Sequence, residues 1–268
     1  SFKLLLGTAN LFLAGRKHHF SPAVQEALVA HVLAQKPDAV VCTGDLTAQA
    51  TRDEFRAALR LLRPLLDAIP SVIIPGNHDV YTRAAEHNRS IEADFGPWMG
   101  DGEWPRVHHL SASLAVVGLE TCRAHITSSG RVAEADLQRL DTLLESWPPE
   151  KTCLLAIHYP LRDRRGDPYG PPSRALSNAD ALERVLVKHA ARVQAILHGH
   201  EHHGYQTRLP AEGGAIPILN PGSSGYAWMP DRRRTAHYNM YTLAGQDLTV
   251  ARFAYDGDAR NFVPESGG

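Results

Sequence analysis

Four apolar segments of this sequence are each followed at once by side chains that can bind a metal. The first is followed by Asp45, the second by Asn77-His78-Asp79, the third by His158, and the fourth by His200 and His202. Ligands bind at the carboxyl ends of the strands in α/β sheets, so these groups are expected to converge. A carboxylate, an amide oxygen and imidazoles together suit Mn, Fe or Zn better than Mg or Ca, which prefer oxygen ligands alone. The pattern therefore predicts a site for one or two divalent transition-metal ions.

Each of these residues also has an ordinary structural interpretation when it is taken alone. Asp45 after Gly44 suits a turn or a helix cap, and Asn77 suits a backbone position with positive φ. His158 suits a hydrogen-bonded structural histidine, and His200 with His202 suits a solvated pair in a loop. The order of all of them, each at the end of an apolar segment, favours a shared site.

The segments that must position these residues alternate between strand and helix patterns. A helix start is indicated by Ser21-Pro22, and Thr51 with Glu54 forms the sequence pattern of a capping box. Strand patterns lie at 2–6, 39–42, 71–74, 114–118, 152–157 and 193–197, and later strands without helices at 216–219, 238–243 and 248–253. Early alternation followed by strands alone predicts an α/β fold: a four-layer α/β/β/α sandwich of two mixed sheets with helices on both outer faces.

No repeat or linker interrupts the sequence, so residues 1–268 are expected to form a single domain. Two stretches, near 81–110 and 162–176, lack a clear period and are interpreted as loop insertions. Trp98, Trp104 and Tyr169 lie in them, and these aromatic residues could stack on a base or cover a lipid chain. A small satellite core is the alternative for the two tryptophans.

The composition limits the partners and the compartment. There are 28 basic and 29 acidic residues, so no basic field favours long nucleic acid, and the run Arg232-Arg233-Arg234 is interpreted as a solvated loop. Of the three cysteines, Cys42 and Cys153 lie in apolar segments and read as reduced core residues. With no apolar run long enough for a membrane span and no signal peptide, a cytoplasmic location is expected.

The ordered motifs resemble the signature of the calcineurin-like metallophosphoesterases, which reads GD, GNH[DE], H and GHxH. Here these are Gly44-Asp45, then 76–79, then His158, then 199–202, and the stretch Asn220-Pro221-Gly222-Ser223 is also similar to that family. The resemblance implies that Asp45 bridges two metals. It implies that Asn77, His158 and His200 complete the shell of one metal and that His202 serves the other.

The same resemblance implies the roles of the remaining motif residues. His78 would be the catalytic histidine, which protonates the leaving oxygen or stabilises the charged transition state, and Asp79 would orient it. Asn77 and His78 would also contact the substrate. Two metals would clamp the phosphate oxygens and lower the pKa of bound water.

The chain departs from the family at its first motif, DxH, which would supply the outer metal with an Asp and a His. That position falls on Thr8-Ala9-Asn10, where Thr8 cannot provide an anionic ligand and Asn10 offers only a neutral amide oxygen. Three interpretations stay open: a phosphoesterase with one metal or a weak second one, a hydrolase that recruits a substitute ligand such as His18 or His19, and an inactive relative that binds a phosphorylated ligand. A purely structural α/β module is a fourth, and it would require the later motifs to be accidental.

The expected function is metal-dependent hydrolysis of a phosphoester, with a nucleotide or a nucleotide-like small molecule as the substrate of a phosphodiesterase. The continuation His78-Asp79-Val80-Tyr81 resembles a branch of the family often associated with cyclic nucleotides. The alternatives are a pyrophosphatase of a nucleotide-sugar lipid and a weakened relative that binds a phosphorylated ligand. Because the first metal site is depleted, activity is expected to be low.

Overall fold

The computed structural model describes residues 20–245 and 247–265. Its helices are α1 (Pro22–Gln35), α2 (Arg52–Ala68), α3 (Arg83–His87), α4 (Glu92–Met99), α5 (Glu134–Glu145) and α6 (Ala179–Lys188). Its strands are β1 (Val40–Cys42), β2 (Ser71–Ile73), β3 (Arg106–His109), β4 (Leu114–Gly118), β5 (Thr152–Ala156), β6 (Val193–Leu197), β7 (His203–Ala211), β8 (Gly214–Gly222), β9 (His237–Ala244), β10 (Asp247–Asp256) and β11 (Asn261–Pro264). The strand predicted at 2–6 lies outside the described residues.

A six-stranded mixed sheet forms one inner layer, with the order β3-β4-β5-β6-β8-β7. Strands β4, β5, β6 and β8 run parallel, and β3 and β7 pair antiparallel at the two edges. The central strands are almost completely buried because helices cover one face and a second layer of strands covers the other. This burial explains why their sequences are continuous apolar runs rather than alternating ones.

The second inner layer consists of the parallel pair β1-β2 and the antiparallel set β11-β10-β9. Its side chains meet the six-stranded sheet in one apolar cluster, in which Val72 and Ile74 pack with Val116, Leu154 and Leu197. Side chains of β9 and β10 join the same cluster. Two facing layers of strands are therefore present, as the sequence predicted.

Helices cover both outer faces. On the outer face of the six-stranded sheet, Leu140 and Leu144 of α5 and Leu182 of α6 pack against Leu155. On the opposite side, α1 and α2 form a separate apolar cluster with partly buried residues of β1 and β9. The capping box predicted at Thr51 is present, since its side chain accepts from the Glu54 N–H and Glu54 bonds back. The α/β/β/α prediction is confirmed.

The stretch 81–110 is not irregular, because it contains α3, α4 and β3. Its two tryptophans belong to the interior: Trp104 is buried, and the indole N–H of Trp98 donates to the Leu66 carbonyl at 3.3 Å. Both tryptophans therefore pack in the large apolar cluster between the two layers of strands, and not in a small satellite core. Residues 162–176 do form a long loop, with one 3₁₀ turn at Pro172–Arg174.

The three cysteines are free thiols, and Cys122 and Cys153 are fully buried. Burial raises the pKa of the Cys42 thiol to about 11. Among the described residues, no helix is long and apolar enough to cross a membrane.

Candidate metal centre

The loop after β1 and the loop after β2 interlock, and this brings the first two motifs together. A Cβ added to Gly76 would lie 2.1 Å from the Asp45 nitrogen, and one added to Gly44 would lie 2.2 Å from the Gly76 nitrogen. Gly44 and Asp45 both have positive φ, at 96° and 63°. Glycine is therefore required on each side of the contact, and Asp45 holds a backbone conformation that a non-glycine residue adopts only when its surroundings enforce it.

Four predicted ligands converge at the carboxyl ends of β1, β2, β5 and β6. The Asn77 Oδ1 lies 3.0 Å from His158 Nε2 and 2.9 Å from His200 Nδ1. The Asp45 Oδ2 lies 3.5 Å from the same His158 nitrogen. Ligands about 2.1 Å from a cation at angles of roughly 90–110° stand about 3.0–3.4 Å apart, so this spacing suits one shared ion.

Backbone contacts fix the orientation of the His158 ring, which is completely buried. The ring Nδ1 donates to the Thr43 carbonyl at 2.7 Å, and the backbone N–H of His158 donates to Thr121 Oγ1 at 3.3 Å. Because a carbonyl oxygen only accepts, Nδ1 carries the hydrogen, and Nε2 faces Asn77 and Asp45 with its lone pair. A hydrogen bond that fixes the tautomer in this way is usual for a metal-binding histidine.

The charges of the cluster favour a cation at its centre. Burial alone raises the pKa of Asp45, but the nearby imidazoles of His158 and His78 and a hydrogen bond from the His78 N–H lower it to about 2. Burial and the neighbouring His158 lower the pKa of His200 to about 2. The group therefore offers a carboxylate, an amide oxygen and the neutral imidazole of His200. Among the residues that the structure describes, His200 Nε2 is buried without a hydrogen-bond partner.

These donors fit a divalent transition metal in chemistry and in spacing. In the described residues, no group of three or more His, Cys, Asp or Glu side chains is placed so that it could hold a metal ion by itself. The centre of the cluster is instead an amide oxygen, that of Asn77, which contacts both imidazoles. Asn10 lies outside the described residues, as do His18 and His19.

His202, two residues after His200, packs against aromatic side chains. Its Nδ1 lies 2.5 Å from the Tyr226 hydroxyl, and its ring meets Phe20 edge-on, with centroids 6.0 Å apart. The next residue, His203, is exposed at the start of β7. Tyr226 was missed by the sequence analysis, although it follows the 220–223 stretch by only three residues.

The His78 side chain is held by the Ala48 carbonyl and the Tyr81 ring. Its Nδ1 lies 2.7 Å from the Ala48 carbonyl and therefore carries a hydrogen, which leaves Nε2 to exchange a proton. The ring stacks on Tyr81, with centroids 5.6 Å apart.

The hydrogen bonds of the Asp79 carboxylate go to the two interlocked loops and not to the His78 ring. This carboxylate accepts hydrogen bonds from the backbone N–H groups of Asp45, Leu46, Thr47 and Gly76 and from the Thr47 hydroxyl. Burial and the charge of Asp45 raise its pKa to about 6. Asp79 thus ties the two interlocked loops together, and it is the Ala48 carbonyl that orients His78. A sequence pattern gives no signal for a backbone acceptor of this kind.

The loop 162–176 reaches the centre through Glu201, the variable residue of the GHxH motif. The Tyr169 hydroxyl donates to this carboxylate, and Arg174 Nη2 lies 3.2 Å from it. Asn220 holds the other side of the motif, since its Nδ2 donates to the Glu201 carbonyl at 3.0 Å. Tyr169 therefore lies beside the centre, while the two tryptophans do not.

Comparison with known proteins places these motifs in a family context. A family model described as calcineurin-like phosphoesterase matches residues 18–204. A probable glycerophosphodiester phosphodiesterase, GpdQ of Arcobacter nitrofigilis, is 32% identical over 133 residues, which are 48% of this chain and 44% of that protein. The purple acid phosphatase from yellow lupin (Lupinus luteus) seeds matches with a TM-score of 0.56 at 11% identity, over 88% of this chain and 45% of that one. This chain spans less than half the length of each, and the likeness to the lupin enzyme shows the fold alone.

Proposed function

Because the chain belongs to the calcineurin-like phosphoesterase family, we propose that it hydrolyses a small phosphodiester with the help of a divalent metal ion. The observation that carries the proposal is the convergence of Asp45, Asn77, His158 and His200, with donor contacts of 2.9–3.5 Å. When bound there, a metal supplies positive charge to the phosphate and lowers the pKa of a water molecule.

The residues of this chain have distinct parts in that reaction. Asp45, Asn77, His158 and His200 would hold the ion, and His202 would take part in a second, weaker site. His78 presents Nε2, so it is the residue that would give a proton to the leaving oxygen. Asp79 keeps the loops of Asp45 and His78 in register. Asn77 and His78 would also contact the substrate.

The second ion is expected to bind weakly. Residues 1–19 contain no Asp or Glu, so that segment offers no carboxylate to an outer site. Asp45 would be its single anionic ligand, shared with the inner ion. The rate of hydrolysis is therefore expected to be low, because a single ion would not stabilise both the attacking and the leaving oxygen.

The relative from Arcobacter nitrofigilis supports a diester as the substrate class, since its name is that of a glycerophosphodiester phosphodiesterase. A balanced formal charge of −1 also favours a small substrate over long nucleic acid. A pyrophosphate of a nucleotide-sugar lipid is the alternative substrate of the same centre.

A substrate panel tests the proposal. Protein stripped with a chelator and reloaded separately with Mn, Fe or Zn is assayed on a glycerophosphodiester, a cyclic nucleotide, a nucleotide-sugar pyrophosphate and a phosphomonoester. We expect the protein to hydrolyse a diester only when metal is bound, and we expect the Asp45→Asn variant to lose this activity. Hydrolysis of the monoester or the pyrophosphate alone would reject the diester assignment. Metal binding without any turnover would identify a weakened relative that binds a phosphorylated ligand.

A further inference from the structure

One arginine of the basic run 232–234 is not a solvated loop residue. Arg232 and Arg233 are exposed, but Arg234 is half-buried, and its Nε and Nη1 are buried without a hydrogen-bond partner in the described part of the chain. Its guanidinium carbon lies over the Tyr226 ring, 4.9 Å from the centroid. The prediction of a solvated run is therefore wrong for Arg234, because the aromatic ring holds its head group in the protein.

Arg234 differs from the two other arginines that have a buried Nε without a hydrogen bond. Arg162 pairs with Glu183, and Arg252 Nε lies 2.8 Å from a carboxylate oxygen of Glu265. Every Asp and Glu of the chain lies in the described residues, and within them none forms an ion pair with Arg234. A desolvated charge without a counter-ion costs free energy, so an arrangement of this kind indicates an anion that is supplied from outside the chain.

The position of Arg234 connects it to the metal centre. The Tyr226 ring under its guanidinium bonds through its hydroxyl to His202 Nδ1, at 2.5 Å. His202 is the residue expected to serve the outer metal, where residues 1–19 bring no carboxylate. The side of the centre that lacks acidic ligands therefore has an unpaired cation next to it. A guanidinium matches the oxygens of a phosphate in geometry and in charge.

We propose that Arg234 binds a phosphate oxygen of the substrate on the His202 side of the centre. There it supplies part of the positive charge that a firmly held second metal would otherwise supply. This inference rests on the proposed phosphoesterase function, but it concerns binding of the anion and can be measured without turnover.

The test compares Arg234→Met with Arg232→Met, since both remove one charge from the same run. Arg234→Met keeps an unbranched side chain over Tyr226, and Arg232 serves as the exposed control. Inorganic phosphate is titrated into each metal-loaded protein by calorimetry. We expect its affinity to fall about 10- to 100-fold in Arg234→Met, the scale of one hydrogen bond to a charged group, and to stay unchanged in Arg232→Met. Equal phosphate affinity in Arg234→Met and the unmodified protein would overturn the proposal.

Two further measurements separate binding from folding. Without phosphate, Arg234→Met should melt at the same or a higher temperature than the unmodified protein, because an unpaired buried charge is removed. A lower melting temperature together with unchanged phosphate affinity would assign Arg234 a structural role. Should Arg234→Met not fold, Arg234→Lys replaces it. Phosphate affinity that is only partly kept in Arg234→Lys supports a contact between the guanidinium and phosphate. Full phosphate affinity in Arg234→Lys rejects that contact.

The outcome is independent of whether the hydrolysis proposal holds. If no phosphoester is hydrolysed but phosphate binding depends on Arg234, the anion site stands and the catalytic proposal fails. If diesters are hydrolysed with the same KM and phosphate affinity in Arg234→Met, the catalytic proposal stands and the Arg234 site fails.

Discussion

The imidazole Nε2 of His158 and the amide oxygen of Asn77 lie 3.0 Å apart, with an acceptor on each side of the contact. The hydrogen of His158 is on the other nitrogen, where it donates to the Thr43 carbonyl. Two lone pairs at this distance repel each other unless a proton or a cation lies between them. A divalent ion held by Asn77 and His158, together with Asp45 and His200, would remove the repulsion.

Replacement of His78 by alanine should lower turnover by about 10²- to 10⁴-fold, the usual range for a lost general acid. Because its Nδ1 is bonded to the Ala48 carbonyl, only Nε2 can deliver a proton, and the loss should be larger for an alkoxide leaving group than for p-nitrophenolate. Steady-state rates on an alkyl and a p-nitrophenyl diester measure this difference. An equal loss on both substrates, or a loss of bound metal, would assign His78 another role.

Asp79→Asn should destabilise the protein by about 2–5 kcal/mol. In the unmodified protein, backbone N–H groups donate to the buried carboxylate, and in the variant some of them would face the NH₂ group of the amide, which is also a donor. Denaturant unfolding followed by circular dichroism measures the change. Asp67→Asn is the matched control, because Asp67 is exposed and its one ion pair among the described residues is with Arg63. Its effect should stay within about 0.5 kcal/mol. Similar free energies of unfolding for the two variants would contradict the bridging role of Asp79.

Glu201→Ala should release the loop 162–176 from the centre, because Tyr169 and Arg174 both bond to that carboxylate. Arg164 and Arg165 are exposed in this loop and offer trypsin two cleavage sites. We expect trypsin to cleave the Glu201→Ala variant several-fold faster at these two sites. Mass spectrometry of the fragments measures the rate. Glu212→Ala, in the exposed turn between β7 and β8, should leave the rate unchanged. Unchanged cleavage in Glu201→Ala would show that other contacts hold the loop.

The double change Thr8→Asp with Asn10→His should strengthen the second metal site, since it restores a carboxylate and an imidazole to the first motif. Each loss of a ligand is expected to weaken affinity by more than the 10- to 100-fold typical of outer-shell changes, so the gain should be large. The number of metal ions bound per chain and the rate of diester hydrolysis should both be higher in the double variant. No change in either would point to a substitute ligand, with His18, His19 and His203 as the first candidates.

The strands that carry the centre could be predicted because burial on both faces leaves a continuous apolar sequence. The observed β4 and β6, Leu114–Gly118 and Val193–Leu197, coincide with the predicted residues for this reason. The edge strands β3 and β7 were missed. Both pair on one side only and contain charged or polar residues, such as Arg106 and Gln206, that hide the strand pattern.

The convergence of the four donors was also predictable, because each follows a strand whose carboxyl end lies at the same edge. Interactions through backbone atoms were not predictable, since any residue type can supply a carbonyl. The bonds of His158 to Thr43 and of His78 to Ala48 are of this kind. The contacts of Tyr226 depend on how β8 and the loop after it fold back, which no local pattern specifies.

Metal content of the purified, reloaded protein tests the central claim most directly. After chelation, reloading with Mn, Fe or Zn, and removal of free ions, mass spectrometry of the metals should find one tightly held ion per chain. Asp45→Asn should lose that ion, and the exposed variant Asp67→Asn should keep it. No ion in the unmodified protein, or one that is retained in Asp45→Asn, would contradict a metal centre built from Asp45, Asn77, His158 and His200.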